Sequence, residues 1–372
     1  MIDDERAETR TSAVILAAGE GSRMRSRRAK PLAKLCGKTM IGHVIDALSE
    51  IPTLKRVVIV VGHQHQSVRD AVGEMRTDGI DISFVRQEHL RGTGDALAAA
   101  LTALPDPLAE SSSHREPVIV VPADTPLLRT ETLQALVDSH RRTGAAATLL
   151  TADAEQPAGY GRIVRDRHGE IMRVVEDRDA NESEALIREI NTSCYVFESS
   201  VLAPSLRRLQ PLNAQGEYYL TDVVEVLSSA GYGVGSVRLE DFSEVLGVND
   251  RVQLAEAERL MRARINLKWM TAGVTIVDPL STYIDAEVEI GGDTTIWPQT
   301  FLSGATAIAQ NCEIGPGVRL VDCLVGEGAK IVRTEGEGAH FGEGCVVGPY
   351  VTVRAGAKIA MGREVGSFVI LE

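Results

Sequence analysis

From about residue 274 onward the sequence keeps a six-residue beat, the feature that most limits what the chain can fold into. Ile290-Gly291, Ile296, Leu302, Ile308, Ile314-Gly315 and Leu320 recur at that interval, and after an interruption Phe341-Gly342, Val347-Gly348, Val353, Ile359 and Val365-Gly366 resume it. An aliphatic residue every sixth position, often followed by glycine, is the hexapeptide pattern of a parallel β-helix. Three hexapeptides make one triangular coil, the aliphatic side chains stack inward and glycine eases the corners. The beat runs into the final residues "VGSFVILE" with no capping helix. An uncapped end exposes edge strands, so either another subunit covers it or the chain is a shortened form.

The pattern before residue 250 is different. "AVILAAG", "RVVIVVG", "ISFVRQ", "PVIVVPAD", "AATLLTA" and "CYVFES" read as strands, and between them "PLAKLCGKTMIGHVIDALSE" and "TGDALAAALTAL" carry apolar residues at helical spacing. Apolar runs of four to six residues without alternation mark strands buried on both faces. The reading is α/β: a doubly wound, mostly parallel sheet flanked by helices, with ligands beyond the carboxyl ends of the strands. Residues 251–270, "RVQLAEAERLMRARINLKWM", lack Gly and Pro and set Leu254, Leu260, Met261, Ile265 and Leu267 among charges, which predicts one long amphipathic helix. The expected organisation is a disordered N-terminal tail (1–11), an α/β domain (12–250), a helical connector (251–273) and the β-helix (274–372). A chain of 372 residues is long enough for two or more domains.

Charge and cysteine usage exclude some functions. A formal net charge of -13 argues against a general nucleic-acid or membrane-surface binder, since either needs a basic face. No run approaches the ~18 apolar residues of a membrane span, and the acidic start "MIDDERAETR" has no apolar core of a signal peptide. The expected location is the cytoplasm. Cys36, Cys194, Cys312, Cys323 and Cys345 are scattered, odd in number and without CxxC spacing, which suits reduced thiols better than disulfides or a zinc site.

Three stretches carry candidate chemistry. "VILAAGEGSRMRSRRAK" (Val14 to Lys30) follows a predicted strand; Gly19 and Gly21 would let backbone N–H groups approach a phosphate that Ser22, Arg23 and Lys30 neutralise. It is neither GxxxxGK[ST] nor a full GxGxxG, so by glycine pattern alone an ordinary strand-turn-helix is an equal reading. In "VIVVPADTPLL", Asp124 lies just past an apolar strand, where it is either a Mg2+ ligand or a turn carboxylate. In "QEHLRGTGDAL", Gln87 ends a strand and Gly92, Thr93 and Gly94 form a turn able to approach a base or sugar. The eight histidines show neither HExxH nor a carboxylate pairing, and there is no GxSxG, so covalent nucleophilic catalysis is not indicated.

Together these segments resemble the bacterial N-acetylglucosamine-1-phosphate uridylyltransferases, the GlmU family. "LAAGEGSRM" is similar to the family's LAAGxGTRM, "AKPLAKLCGKTMIGHVIDA" to PKxLxxLxGKxMxxHVIDA, and "QEHLRGTGDA" to QxxxxGTGxA. The resemblance continues through "GYGRIVRD", "VVEDRDA", "EINTSCYVF", "NAQGEYYLTDVV" and "EVLGVNDRVQLAEAER", across nearly the whole chain. It implies a nucleotidyltransferase domain followed by a left-handed β-helix that packs as a homotrimer. The implied reaction is Mg2+-dependent attack of the oxygen of N-acetylglucosamine 1-phosphate on the α-phosphorus of UTP, giving UDP-N-acetylglucosamine and pyrophosphate with no covalent intermediate. The resemblance puts Asp124 and Asn249 on the metal, Arg23 on the leaving pyrophosphate and Lys30 on a phosphate. The backbone of Leu16, Ala17, Ala18 and Gly19 with the Gln87 amide would read uracil. Gly92, Thr93, Ala123, Gly161, Glu176, Asn191 and Asn249 fall on the family's other substrate contacts.

The sequence departs from that pattern in places. Ala123 stands where the family usually has Gly, after Pro122 where an aromatic is common, which bears on sugar selectivity; Ala29 replaces a Pro before Lys30. Arg354 falls on an arginine of the family's acetyltransferase site, but the catalytic histidine and the positions after it would follow Glu372, so acetyl transfer is expected to be absent. The alternatives are a sugar-1-phosphate nucleotidyltransferase for another sugar or base, and a catalytically silent trimeric scaffold.

Overall fold

The computed structural model describes residues 10–75, 79–105 and 116–372, which divide into two compact units. One holds the described residues up to Ala33 together with 40–253, the other 34–39 together with 254–372. Of the expected N-terminal tail, residues 1–9 lie outside the described residues, as does His114. Thr11 is not tail: it is fully buried, opens the first strand, and its hydroxyl pairs with that of Thr53 at 2.9 Å.

The first unit is built on strands β1 (Thr11–Ala17), β4 (Leu54–Val61), β5 (Asp81–Arg86), β6 (Pro117–Pro122), β7 (Ala147–Asp153), β8 (Gly161–Arg165), β9 (Ile171–Val175), β10 (Glu189–Glu198) and β11 (Val234–Leu239). Two short strands, β2 (Lys34–Leu35) and β3 (Lys38–Thr39), form a hairpin that belongs to the second unit. The sheet order is β11-β7-β10-β6-β1-β4-β5, with β8 and β9 branching from β10. Its centre, β6-β1-β4-β5, is parallel, while β10 runs antiparallel to β6 and β7. In β1, Ala13, Ile15 and Ala17 feed one apolar cluster and Val14, with Ala18 just past the strand, feeds another. That two-sided burial is why the strand reads as an unbroken apolar run.

Helices α1 (Met40–Ser49), α2 (His65–Gly73), α3 (Thr93–Ala100), α4 (Thr130–Thr143), α5 (Glu182–Ala185), α6 (Ser199–Leu206) and α7 (Asp222–Ser229) flank the sheet. In α1, Ile41, Val44, Ile45 and Leu48 recur at helical spacing and are all buried. The helix-like stretch from Pro31 to Glu50 is α-helical only over Met40–Ser49, after a short 3-10 turn at Lys30–Leu32. Cys36 and Gly37 take positive φ and turn the preceding residues into the β2-β3 hairpin. The β8-β9 hairpin and β11 lack the unbroken apolar runs of the central strands, because Arg, Gly or Ser interrupts each of them.

The second unit begins with the C-terminal part of α8 (Arg251–Thr271), whose Ile265, Met261 and Trp269 pack on the β-helix core. Among the described residues, three parallel stacks of six, six and five short strands follow, a left-handed parallel β-helix. The inward ladder is buried throughout: Ile290, Ile296, Leu302, Ile308, Ile314 and Leu320, then Phe341, Val347, Val353, Ile359 and Val365. The interruption between Leu320 and Phe341 is not a break. Val325, Ile331 and Gly336 keep the ladder while the coil shortens: Leu302 pairs with Leu320, but Leu320 pairs with Gly336. Gly336 has no side chain because the Phe341 ring takes its place; a Cβ there would lie 3.1 Å from Phe341 Cζ and 3.0 Å from Leu320 Cδ2.

Candidate active site

The parallel centre of the sheet brings the carboxyl ends of β1, β4, β5 and β6 to one edge, and a cavity of ≈700 Å³ opens there within the first unit. Main-chain bonds fix its floor. Ala123 N–H donates to Leu16 C=O at 3.0 Å, tying the residue after β6 to the end of β1, and Gln87 N–H donates to Val61 C=O at 2.9 Å. Val248 N–H donates to Asp124 C=O at 2.8 Å, which brings the Gly247–Asn249 loop beside the carboxylate from the far end of the unit's sequence.

Leu16, Ala17, Ala18, Gly19, Lys30, Gln87, Gly92, Thr93, Ala123, Asp124, Asn191 and Asn249 all line this cavity. At one end Lys30 Nζ donates to Asp124 Oδ2 and, at 2.8 Å, to Asn249 Oδ1. Exposed Arg23 donates to the same Asn249 oxygen at 3.0 Å. Two cations thus converge on two oxygen donors contributed by widely separated loops. Arg25, Arg27 and Arg28 are exposed on the preceding turn.

The glycines of the first turn have separate jobs. Gly21 has φ +62°, and a Cβ there would lie 2.6 Å from Lys30 Cβ, so it gives Lys30 room to pass. Gly19 has no heavy atom within 4 Å of where a Cβ would stand; its missing side chain leaves cavity open. Gly92, at φ +106°, would place a Cβ 2.6 Å from Tyr218 C=O. That turn is docked by Gly94 N–H on Tyr218 C=O at 2.8 Å and by Leu220 N–H on the Thr93 hydroxyl at 3.0 Å. The "GEYYLTD" segment is therefore the backbone mount of the Gly92–Thr93 turn. Gln87 donates through Nε2 to Gly92 C=O (3.1 Å) and Asp95 (2.8 Å), which leaves its carbonyl oxygen for a ligand.

At the other end Asn191 is buried, its Nδ2 donates to the Tyr195 hydroxyl at 2.7 Å, and its Oδ1 has no partner. Gly161 and Glu176 do not line the main cavity. Gly161 lies against Asn191 and Glu176, and Glu176 faces a neighbouring cavity of ≈430 Å³ with Asp179 and Asp222. Burial raises the Glu176 carboxyl above its ordinary range, and Asp179 and Asp177 add to that, while the Thr221 hydroxyl, donating at 2.9 Å, works against it. Sequence reasoning missed Tyr160, Ser193 and Glu217 on the wall. Burial first, then the charge of Asp124, raises the Tyr160 phenol. Its signal was present, since Tyr160 precedes Gly161 in a motif already singled out.

Among the described residues no group of three or more His, Cys, Asp or Glu gathers for a metal. Asp124 and Asn249, two oxygen donors already converging on one cation, fit a small hard ion that takes its remaining ligands from substrate phosphates and water. No helix among the described residues is long and apolar enough to cross a membrane.

The chain is similar to known proteins in sequence and in fold. Residues 13–223 match the MobA-like NTP transferase domain family. The chain is 43% identical over 357 residues to the Bifunctional protein GlmU of Geobacillus sp. (strain WCH70), covering 96% of this chain and 75% of that protein. It is 42% identical over 360 residues to that of Mycobacterium tuberculosis (strain CDC 1551 / Oshkosh), and 44% over 363 residues to that of Rhodococcus opacus (strain B4), in each case covering 96% of this chain and 71% of the relative. In fold, a UDP-glucose pyrophosphorylase solved with UDP-glucose superposes with a TM-score of 0.55 at 16% identity, over 68% of this chain and 99% of its own.

Proposed function

Because the chain belongs to the GlmU family, with a MobA-like NTP transferase domain, it is an N-acetylglucosamine-1-phosphate uridylyltransferase, and we propose the following roles for its residues. The observation that carries them is one cavity in which two cations converge on two oxygen donors, with polar groups along its wall. Lys30, Arg23, Asp124 and Asn249 meet at one end; Gln87 and the Gly92–Thr93 turn lie on the wall, and Asn191 waits with an unpaired acceptor.

UTP lies along the Leu16–Gly19 backbone, with uracil read by those main-chain groups and by the free carbonyl of Gln87 accepting from the ring N–H. Lys30 and Arg23 neutralise phosphoryl oxygens while the sugar phosphate attacks in line and pyrophosphate leaves, a reaction that asks the protein for positioning and charge rather than a nucleophile. The family depends on a divalent metal; we assign it as Mg2+, held by Asp124 and Asn249, where it would draw charge from the transferring phosphoryl group. Asn191 holds the sugar, and Gly161 and Glu176 support it from behind.

We assign this chemistry to residues 12–250, connection to 251–273 and assembly as a homotrimer to the β-helix 274–372. Its UTP requirement places the enzyme in the cytoplasm, with the nucleotide pool. Pyrophosphate release across a grid of nucleotides and sugar phosphates, with and without Mg2+, tests the reading. Turnover is expected with UTP and N-acetylglucosamine 1-phosphate and to need the metal; turnover confined to glucose 1-phosphate or dTTP sinks it.

A further inference from the structure

Ser193 stands on the cavity wall with φ +62°, in the left-handed region where a side chain is strained. It sits where β10 loses register with β7, between Asn191 and Tyr195. A bulge re-aims a side chain, and this one turns Ser193 out to the cavity while Thr192, Cys194 and Tyr195 on either side stay buried. Glycine would hold the same backbone without strain. The serine therefore costs stability, and what it adds is a hydroxyl.

That hydroxyl belongs to a short chain of hydrogen bonds. Asn191 Nδ2 is a donor, so the Tyr195 oxygen accepts from it. Ser193 is a second side-chain partner of the same phenol. If the phenol passes its own proton to Ser193 Oγ, the serine proton is left for the cavity. Asn191 Oδ1, buried and unpartnered, is the matching acceptor. The wall thus presents one donor and one acceptor, both uncharged and two residues apart. A secondary amide presents its N–H and C=O on separate atoms and can meet both groups at once; a lone ring hydroxyl, as in a sugar without the acetamido group, has to meet both from a single oxygen.

We propose that Ser193 is a specificity-determining residue whose hydroxyl donates to the acetamido carbonyl of the sugar 1-phosphate, while Asn191 Oδ1 accepts from the acetamido N–H. The inference rests on the reading of this cavity as the sugar-phosphate site. It is tested on the full chain with Ser193→Ala and Ser193→Gly, measuring kcat/KM for N-acetylglucosamine 1-phosphate and glucose 1-phosphate, KM for UTP, and the thermal midpoint. Both variants are expected to lose roughly tenfold in kcat/KM for the acetamido sugar, the effect of one uncharged hydrogen bond, with glucose 1-phosphate and UTP parameters unchanged. Ser193→Gly is also expected to melt higher than Ser193→Ala, because it relieves the backbone. Unchanged sugar preference in both variants, or a parallel fall for both sugars, overturns the proposal. Wild-type enzyme that shows no preference for the acetamido sugar overturns the underlying reading instead, so the two failures are distinguishable.

Discussion

Lys30 Nζ meets Asp124 and Asn249 because Gly21 lets its stem pass and because Val248 N–H anchors the asparagine loop to Asp124. Replacing Asp124 by Asn keeps the shape and removes the charge. We expect kcat to fall by on the order of 10²- to 10³-fold, the usual scale for losing one preorganised electrostatic group, with the circular dichroism spectrum unchanged. Pyrophosphate release titrated with Mg2+ measures it, and near wild-type turnover would remove Asp124 from the metal site. Gly92→Ala tests a different kind of residue. Its Cβ would collide with Tyr218 C=O at a φ of +106°, so a stability loss of about 1–3 kcal/mol or more is expected, together with a raised KM for UTP. Unfolding in urea and steady-state kinetics check both halves.

Elements bring together partners that are distant in sequence. On α4, His140 is buried and its Nδ1 bonds the Thr148 hydroxyl of β7 at 3.0 Å. Burial, then the neighbouring Arg141 charge, lowers its pKa to about 4 from an ordinary 6.5. The folded chain therefore favours the neutral ring: the contribution is complete above pH 6.5 and is lost as pH falls through 4, amounting to about 3 kcal/mol. We expect the melting temperature of wild type to fall over that window more steeply than that of His140→Leu; parallel curves would discount the histidine. In the β-helix, fully buried Ile314 stacks between Ile296 and Ile331. Ile314→Ala should cost about 2–5 kcal/mol by opening a cavity in a ladder with little freedom to close, visible by denaturant unfolding.

At the scale of the whole molecule, the β-helix carries exposed stacked ring pairs, Tyr283 on Phe301 at 4.7 Å between centroids and Tyr350 on Phe368 at 5.5 Å, with Leu324 and Ile370 also exposed. Apolar surface of that kind is expected to be covered by other protomers, so sedimentation equilibrium should give three times the protomer mass; a monomer would end the trimer reading and leave the transferase reading intact. Periodicity made both architectures legible from sequence, because buried strands and a six-residue coil each impose a repeat on residue type that no neighbour can alter. Motif order likewise pointed to Lys30, Asp124, Gln87 and Asn249 before any distance was known. What the sequence could not supply were relations between segments: that Leu320 pairs with Gly336 in a shortened coil, that "GEYYLTD" mounts the Gly92 turn, that Glu176 faces a neighbouring cavity, and that Ser193 is strained outward at a bulge. Local residue type determines which element forms. Only the packed backbone decides which side chains face one cavity and which of their hydrogen-bonding groups are left for a ligand.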